Sequence, residues 1–381
     1  MDVDVLIIGG GVVGLACALE SARRSRTTLL IERHESFGQE TSSRNSEVIH
    51  SGIYYPTGSL KARLCPAGNT TTYNDCAEFG VWISRCGKLV VAVSPEEEPE
   101  IERLFQRGTA NGVQGLRILT GAEARKLEPA IQCTSALDVP STGILDSHGL
   151  MNAYLREAKS AGADVTFGVE FTGGDKKDDS FALCLKDTTG EEFRLTAGVL
   201  INAAGVEADR VARSFGIDID SAGYRVHPNR GHYYRVSMSK SRLVSRLVYP
   251  VPNPRLSDLG IHITLDRSGQ MKLGPDAEYL PKGIPSSEWY KFDDSRREKF
   301  YRAVSRYFPA LEEGDLAPDQ VGVRSKIQAP GAPATDFVIR NESERGLPGL
   351  VNLIGIESPG LTCAREIARE VFRQISHDIV N

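Results

Sequence analysis

The sequence predicts an α/β fold, α+β overall: a parallel sheet assembled from distant stretches of chain, with a separate antiparallel layer threaded between them. Three observations predict it. Val3 to Ile8 is a short, β-branched, apolar run that stops at glycine, as strands buried on both faces do. Two more such runs, Val199 to Gly205 and Leu350 to Gly355, end the same way far along the chain. Between them lie short strand-like runs at 231–236, 243–251, 260–265 and 270–273, separated by turn residues.

The first run leads into Gly9-Gly10-Gly11-Val12-Val13-Gly14, which carries the spacing G-x-G-x-x-G. The first glycine permits the tight turn, the second lets backbone approach a pyrophosphate, and the third lets helix pack on strand. Val12 to Arg24 reads as that helix, with Leu15, Leu19 and Ala22 at helical spacing, and its N-terminal amides suit a diphosphate. A second strand, Thr27 to Ile31, ends at Glu32, 18 residues beyond Gly14, where an acid accepts ribose hydroxyls. A lone glycine motif is weak; strand, glycines, helix, strand and acid in order predict a Rossmann-like, dinucleotide-binding unit. No second such motif occurs, so one dinucleotide is expected.

Later segments rebuild this unit. Met151 to Ala161 reads as a helix and Val165 to Phe171 as a strand. Ala203, Ala204 and Gly205 are small enough to lie beside a nucleotide. The turn from Gly355 to Thr362 precedes a helix expected over Cys363 to Ile375, whose N-terminus can face an electron-rich ring. Ser94-Pro95-Glu96-Glu97 reads as one helix start and Thr120-Gly121-Ala122-Glu123 as another. Gly173 to Ser180 reads as an exposed hairpin turn, and Asp294 to Ser305, with Arg296, Arg297, Glu298 and Lys299, as a solvated helix face.

Composition narrows the classes. At 381 residues, about two domains of ordinary size are expected. The division expected is 1–50, 146–218 and 321–381 for the nucleotide domain, and 51–145 and 219–320 for a discontinuous substrate domain. With 40% hydrophobic and 25% charged residues, the chain is neither disordered nor a disulfide scaffold. A net charge of −5 argues against nucleic acid as a partner. No run of about 18 apolar residues predicts a transmembrane segment. Seven scattered cysteines without a CxxC pair read as reduced thiols, and seven dispersed histidines argue against a metal site. With no targeting segment at the start, a cytoplasmic protein is expected, a removed organellar leader being the alternative.

The block from Gly38 through Thr41-Ser42-Ser43-Arg44-Asn45-Ser46 to His50-Ser51-Gly52-Ile53-Tyr54-Tyr55 resembles the FAD-dependent L-2-hydroxyglutarate dehydrogenase/oxidase family. That family lies among the D-amino-acid-oxidase-like flavoproteins, alongside glycerol-3-phosphate dehydrogenase. Similar segments are Cys86-Gly87-Lys88-Leu89-Val90, Arg230-Gly231-His232, Val248-Tyr249-Pro250, Leu259-Gly260-Ile261-His262, Gly322-Val323-Arg324 and Gly355 to Thr362, so the likeness runs along essentially the whole chain. The resemblance implies FAD held by Gly9, Gly11, Val12, Val13 and Gly14. It adds Glu32 and Arg33, then Thr41, Ser42, Ser43, Arg44, Asn45 and Ser46. It further implies Val169, Ala203 and Gly205, and finally Gly355, Gly360, Leu361 and Thr362. Two positions depart from the pattern: Ser325, where many relatives carry proline, and Cys363, where a small residue is common.

Oxidising a 2-hydroxy acid by hydride transfer to flavin N5 needs a base for the hydroxyl proton and a cation for the carboxylate. Histidine suits the first and arginine the second. His50 and His262 are the candidate bases, with His232 and Tyr249 behind them. Arg324 resembles the arginine that holds substrate carboxylates in the superfamily, and Lys326, two residues on, shares its strand face. A dicarboxylate needs a second cation, for which Lys326 and Lys61 are candidates. Tyr54 and Tyr55 line the flavin face or pack in the core. L-2-hydroxyglutarate giving 2-oxoglutarate is the expected reaction. An amine or amino-acid oxidase of the same fold is the alternative, and a flavoprotein that only relays electrons is the third reading. The electron acceptor, oxygen, a quinone or another flavoprotein, is left open.

Overall fold

The structure, a computed structural model, describes residues 1–252 and 260–379, the side chains of 376–379 apart. Leu259, which opens one family-like segment, lies outside the described residues.

The apolar run Val3–Ile8 forms the central strand of an eight-stranded sheet. It pairs in parallel with Thr28–Glu32 on one side and Glu192–Asn202 on the other. Asp164–Phe167 and Leu347–Ile354 extend the parallel part. Covered on both faces, Val5, Leu6 and Ile7 are wholly buried, which is why the run lacks polar alternation. The helices Val12–Ala22, Leu60–Phe79, Ser147–Ser160 and Gly360–Ile379 share one hydrophobic core on one face. Two of them approach closely: a Cβ on Gly68 would fall 2.5 Å from the Thr362 carbonyl oxygen. Burial of Ile367, Val371, Phe372 and Ile375 holds the last helix down, at about 2 kcal/mol for each side chain.

A second sheet has nine strands, running from Glu278–Tyr279 through His227–Val236, Met271–Leu273, Ile263–Leu265, Leu247–Pro250, Lys88–Ala92 and Ser135–Val139 to Arg117–Thr120, with Leu316–Lys326 also on His227–Val236. All its pairs are antiparallel except Leu247–Pro250 against Lys88–Ala92, which is parallel, so the expected antiparallel layer is mixed at that point. The strand Leu316–Lys326 runs across the expected division at 321. The helix Leu60–Phe79, expected with the second unit, packs in the core of the first sheet. A three-stranded ribbon, Val48–Ile49, Gly143–Leu145 and Ile83–Ser84, lies between the two.

Several elements differ from expectation. The strand expected over 165–171 is two, Asp164–Phe167 and Val169–Lys177, because Gly168 breaks it at φ +71°. The expected hairpin turn shrinks to its tip at Asp178, and Gly173 to Lys177 pair as strand. The helix expected from Ser94 starts at Glu98, because the Glu97 carboxylate turns back to accept from the Val93 amide at 2.9 Å. The capping box at Thr120 and Glu123 forms as expected. The expected solvated helix face has Glu298 and Lys299 exposed, with Phe300 and Val304 buried on the other side of the helix, but Arg296 turns from it to Asp276. The last helix begins at Gly360 rather than at Cys363. No helix among the described residues is long and apolar enough to cross a membrane.

Candidate active site

One continuous cavity of about 600 Å³ runs from Val169 and Glu207 at one end, past the glycine turn, to Arg324, Lys326 and Glu357 at the other. At the turn, Gly9 takes φ +108°, and a Cβ there would lie 2.5 Å from the Ala203 carbonyl oxygen. A Cβ on Gly14 would meet the Gly9 carbonyl oxygen at 1.9 Å, so helix and strand close onto each other. The Glu32 carboxylate accepts from the Gly10 amide at 2.7 Å and from the His34 amide at 2.9 Å. Those bonds fix it at the end of its strand, where its remaining lone pairs suit ribose hydroxyls. The N-cap residue of the first helix, Gly11, has no side chain to cap it, and apart from the Val12 amide, which the Ser42 hydroxyl takes, the N-terminus opens on the cavity at Gly11, Val12 and Val13. A helix N-terminus open on a cavity in this way favours a diphosphate.

The loop from Thr41 to Ser46 is held from both sheets. The Thr41 hydroxyl donates to the Val323 carbonyl oxygen at 2.8 Å, and the Ser42 hydroxyl accepts from the Val12 amide at 3.1 Å. The Asn45 side chain donates to the Ser42 carbonyl oxygen and accepts from the Glu47 amide, both at 2.7 Å. The expected amide donor to a cofactor therefore spends itself on the loop. Ser46 and Tyr233 hydroxyls meet at 3.0 Å on the cavity wall.

At the far end the loop passes into His50. Its backbone amide donates to the Thr362 hydroxyl at 3.0 Å, which ties it to the first turn of the last helix. Its Nε2 lies 3.1 Å from the Ser358 hydroxyl, and its Nδ1 is buried without a partner. Burial, then the nearby Lys88 and His262, push its imidazole down to about 3. His262 lines the same end. Its ring stacks on Tyr249 at 3.8 Å and 15°. Its Nδ1 lies 3.0 Å from the Gly260 carbonyl oxygen, an acceptor, so the hydrogen sits on Nδ1 and Nε2 keeps a lone pair. Burial pushes this imidazole also down to about 3, against the support of that bond.

Arg324 reaches the cavity with its guanidinium bonded to the Asn229 side-chain oxygen and the Asp276 backbone carbonyl. Both partners are neutral, and no carboxylate among the described residues pairs with it. Lys326 and Lys61 share Glu357, at 3.0 Å and 3.2 Å. Burial alone would raise the Glu357 carboxyl; Lys61 and Lys326 hold it below its usual value instead. Asp336 accepts from the Lys61 amide at 3.0 Å and so seats the start of the helix Leu60–Phe79 beside this cluster.

The structure thus gathers His50, His262, Tyr249, Arg324 and Lys326, far apart in sequence, around one end of the cavity. Gly9, Gly11, Val12, Val13, Glu32, Arg33, Thr41, Ser42, Arg44, Asn45, Ser46, Val169, Ala203, Gly205, Gly360 and Leu361 line it elsewhere. Gly14, Ser43, Gly355 and Thr362 do not reach its wall. Gly14 is spent on packing, Gly355 turns at φ +69° against Ile327, and the Thr362 hydroxyl is used by the Val48 carbonyl and the His50 amide. His232 is turned away, wholly buried, with Nδ1 on Asp276 at 3.1 Å. Tyr54 and Tyr55 both face the cavity. Sequence reasoning gave Glu357, Ser358 and Lys88 no role, although a lysine inside the apolar strand run at 88–92 is itself a signal. Among the described residues no group of three or more His, Cys, Asp or Glu side chains is placed to hold a metal.

A glycine cradle that admits a diphosphate, an acid for ribose, and a basic pocket with two neutral imidazoles together define a dinucleotide-dependent oxidoreductase. The buried Arg44 Nε and His50 Nδ1, on two residues that line the cavity, have no hydrogen-bond partner and leave polar capacity along it for such a cofactor. The chain matches the FAD dependent oxidoreductase family over residues 4–374 and belongs to it, with FAD as its cofactor. It is 38% identical to a protein of Arabidopsis thaliana named L-2-hydroxyglutarate dehydrogenase, mitochondrial, over 97% of this chain and 82% of that one. It is 30% identical to an L-2-hydroxyglutarate dehydrogenase of Indibacter alkaliphilus, over 97% of this chain and 98% of that one. Among solved structures, the L-alpha-glycerophosphate oxidase of Mycoplasma pneumoniae with FAD bound aligns with a TM-score of 0.85 and 26% identity, over 98% of this chain and 94% of that one.

Proposed function

We propose that the chain oxidises L-2-hydroxyglutarate to 2-oxoglutarate at the far end of the cavity. The observation that carries the reading is a charge count in a chain similar to L-2-hydroxyglutarate dehydrogenases along nearly its whole length. Arg324, Lys326 and Lys61 face two carboxylates, Glu357, shared by the lysines, and Asp336, held by the Leu60 and Lys61 amides, so one net positive charge remains for an anionic substrate, and Arg324 carries it without a carboxylate partner among the described residues. Arg324 suits the carboxylate next to the reacting carbon, because its planar fork still has unbonded N–H groups. The lysine pair suits the distal carboxylate. His262 is the better built base of the two imidazoles. Its Nε2 lone pair is free and its ring is held by the Tyr249 stack, whereas His50 Nε2 is engaged by Ser358. A neutral imidazole can take the hydroxyl proton at physiological pH, since burial keeps it unprotonated. When bound, FAD supplies the two-electron acceptor for the Cα–H bond. The seven free cysteines fit a reducing, cytoplasmic setting.

The test is anaerobic titration of the FAD-loaded protein with L- and D-2-hydroxyglutarate, lactate, glycerol 3-phosphate and glycine. Loss of the flavin band at about 450 nm with the L-2-hydroxy diacid alone is the expected result. Bleaching by glycine with release of ammonia makes the protein an amine oxidase and overturns the reading. A flavin that no substrate bleaches leaves only electron relay. Reoxidation of the bleached protein by oxygen, a quinone or a flavoprotein then sorts the acceptor.

A further inference from the structure

Lys88 opens the strand Lys88–Ala92 at the parallel junction of the second sheet, opposite Leu247. Its side chain is 0% exposed, and its Nζ has no hydrogen-bond partner. A buried ammonium without a counter-charge is among the costliest groups a fold can hold. This one lies against aromatic faces instead, 4.6 Å from the Tyr54 ring centroid and 4.8 Å from that of Tyr249. Both tyrosines also line the cavity. Tyr249 stacks at 3.8 Å on His262, so at most about 9 Å separates Nζ from the imidazole expected to meet substrate.

The surroundings show what is missing. The titratable groups facing Nζ are the phenols of Tyr54 and Tyr249, the imidazoles of His50 and His262, and the Cys65 thiol from the helix Leu60–Phe79. Burial holds both phenols well above their usual range and so protonated. Both imidazoles are neutral near pH 7. On the neighbouring strand Ser135–Val139, Asp138 pairs with Leu89, on the other side of the pleat, and binds Arg117 and Arg246. No anion among the described residues answers Lys88. Arg324, Lys61 and Lys326 stand at the same end of the cavity and have their own partners.

We propose that Lys88 is a ligand-dependent counter-cation, which takes up a proton when a carboxylate enters the cavity in front of Tyr54, Tyr249 and His262. The inference rests on the reading of that end as a carboxylate site. Burial without a partner pushes the ammonium down to about 7, so in the ligand-free protein the neutral amine is well populated. An anion across one ring restores the charge, and the aromatic faces carry its attraction without letting water in. Lys88 touches no substrate atom and acts as a positioning residue: it draws the anion against the imidazole pair. A unit charge about 9 Å away, at an effective dielectric constant of about 20, favours the protonated form about 20-fold.

The experiment is calorimetric titration of oxidised, FAD-loaded protein with glutarate and with 2-oxoglutarate, in two buffers of different protonation enthalpy. The wild-type protein is expected to take up about half a proton per ligand at pH 8. Lys88→Met should abolish the uptake and weaken binding about 15-fold at pH 6.5 but only about 3-fold at pH 8, a pH signature that simple loss of packing would not give. Lys88→Arg, permanently charged, should bind at both pH values without uptake, and it carries the test if the methionine variant fails to load FAD. Cys65→Ser should keep the uptake. Uptake that persists in Lys88→Met, or binding to the wild type with no uptake, overturns the inference while leaving the substrate assignment intact. Absence of any carboxylate binding overturns the carboxylate site itself.

Discussion

Replacing Arg324 by methionine removes, at nearly constant volume, a cation at the basic end of the cavity whose charge no carboxylate answers among the described residues. The guanidinium has five N–H groups. Two are engaged, by Asn229 and by the Asp276 carbonyl, which aim the rest and leave them free. Two charge-assisted bonds to a substrate carboxylate contribute about 3–6 kcal/mol, so kcat/KM for L-2-hydroxyglutarate should fall roughly a hundred- to ten-thousand-fold. Arg324→Lys restores the charge but not the fork and should recover only part of the loss. The assay is steady-state oxidation with an artificial electron acceptor, alongside the flavin spectrum and thermal unfolding. Asn229 and the Asp276 carbonyl lose a donor, so a stability loss of about 1–3 kcal/mol is expected. FAD should remain bound, since Arg324 lies at the end of the cavity remote from the glycine turn. A normal spectrum with a less than tenfold change in kcat/KM would refute the assignment of Arg324 to the substrate.

Two further outcomes follow from the site's geometry. Gly9→Ala should not accumulate folded, because its Cβ would press on the Ala203 carbonyl at a φ of +108°. Gly11→Ala, at φ −74° with only the Ser42 hydroxyl near, should fold but bind FAD at least tenfold more weakly in a flavin-fluorescence titration; equal affinity would mean that the pyrophosphate does not pass there. His50 and His262 carry folded-state values of about 3 against 6.5 for the free group, so between those values the unfolded chain binds more protons. Stability therefore rises with pH across that window and is lost as pH falls below 6.5, by up to about 1.4 kcal/mol per pH unit for each ring. Denaturant midpoints between pH 6.5 and 5 should show the fall, and the double glutamine variant should flatten it; an unchanged slope would place the proton uptake elsewhere.

What was legible in the sequence follows from what is local. The glycine turn could be read because a few consecutive backbone conformations force it, and Glu32 because one strand and one helix fix its distance from Gly14. His50 and Arg324 were legible through their motifs. Contacts set by long-range register were not. Leu247–Pro250 pairs in parallel with a strand some 160 residues earlier, and nothing in either short run announces that partner. Gly168 was visible, but alternation continued past it and hid the break. Lys61 could be named only as a spare cation, because its place depends on Asp336 docking the helix start from across the fold. Lys88 was read only as part of a family-like strand segment, and its isolation becomes evident once Tyr54 and Tyr249 are seen to enclose it.

The arrangement of charge along the cavity explains how one channel serves two ligands. Near the glycine turn, the acids are answered locally: Glu40 binds Arg33 and His34, and Glu207 faces Arg210 at 3.6 Å. What remains open there is the helix N-terminus, a partial charge suited to a diphosphate with its own sugar and ring contacts. At the other end, whole cations outnumber carboxylates, and among the described residues the hydrogen-bonding partners of Arg324 are neutral. A small diacid gains less at the first end, where the cation without a carboxylate, Arg44, lies over the Tyr290 ring, and most at the second, where three cations converge. Selection between the ends therefore needs no lid: it follows from placing backbone dipoles at one end and side-chain cations at the other. The parallel junction of the second sheet then becomes more than a topological detail, because it brings Lys88 behind the same wall that the imidazoles share.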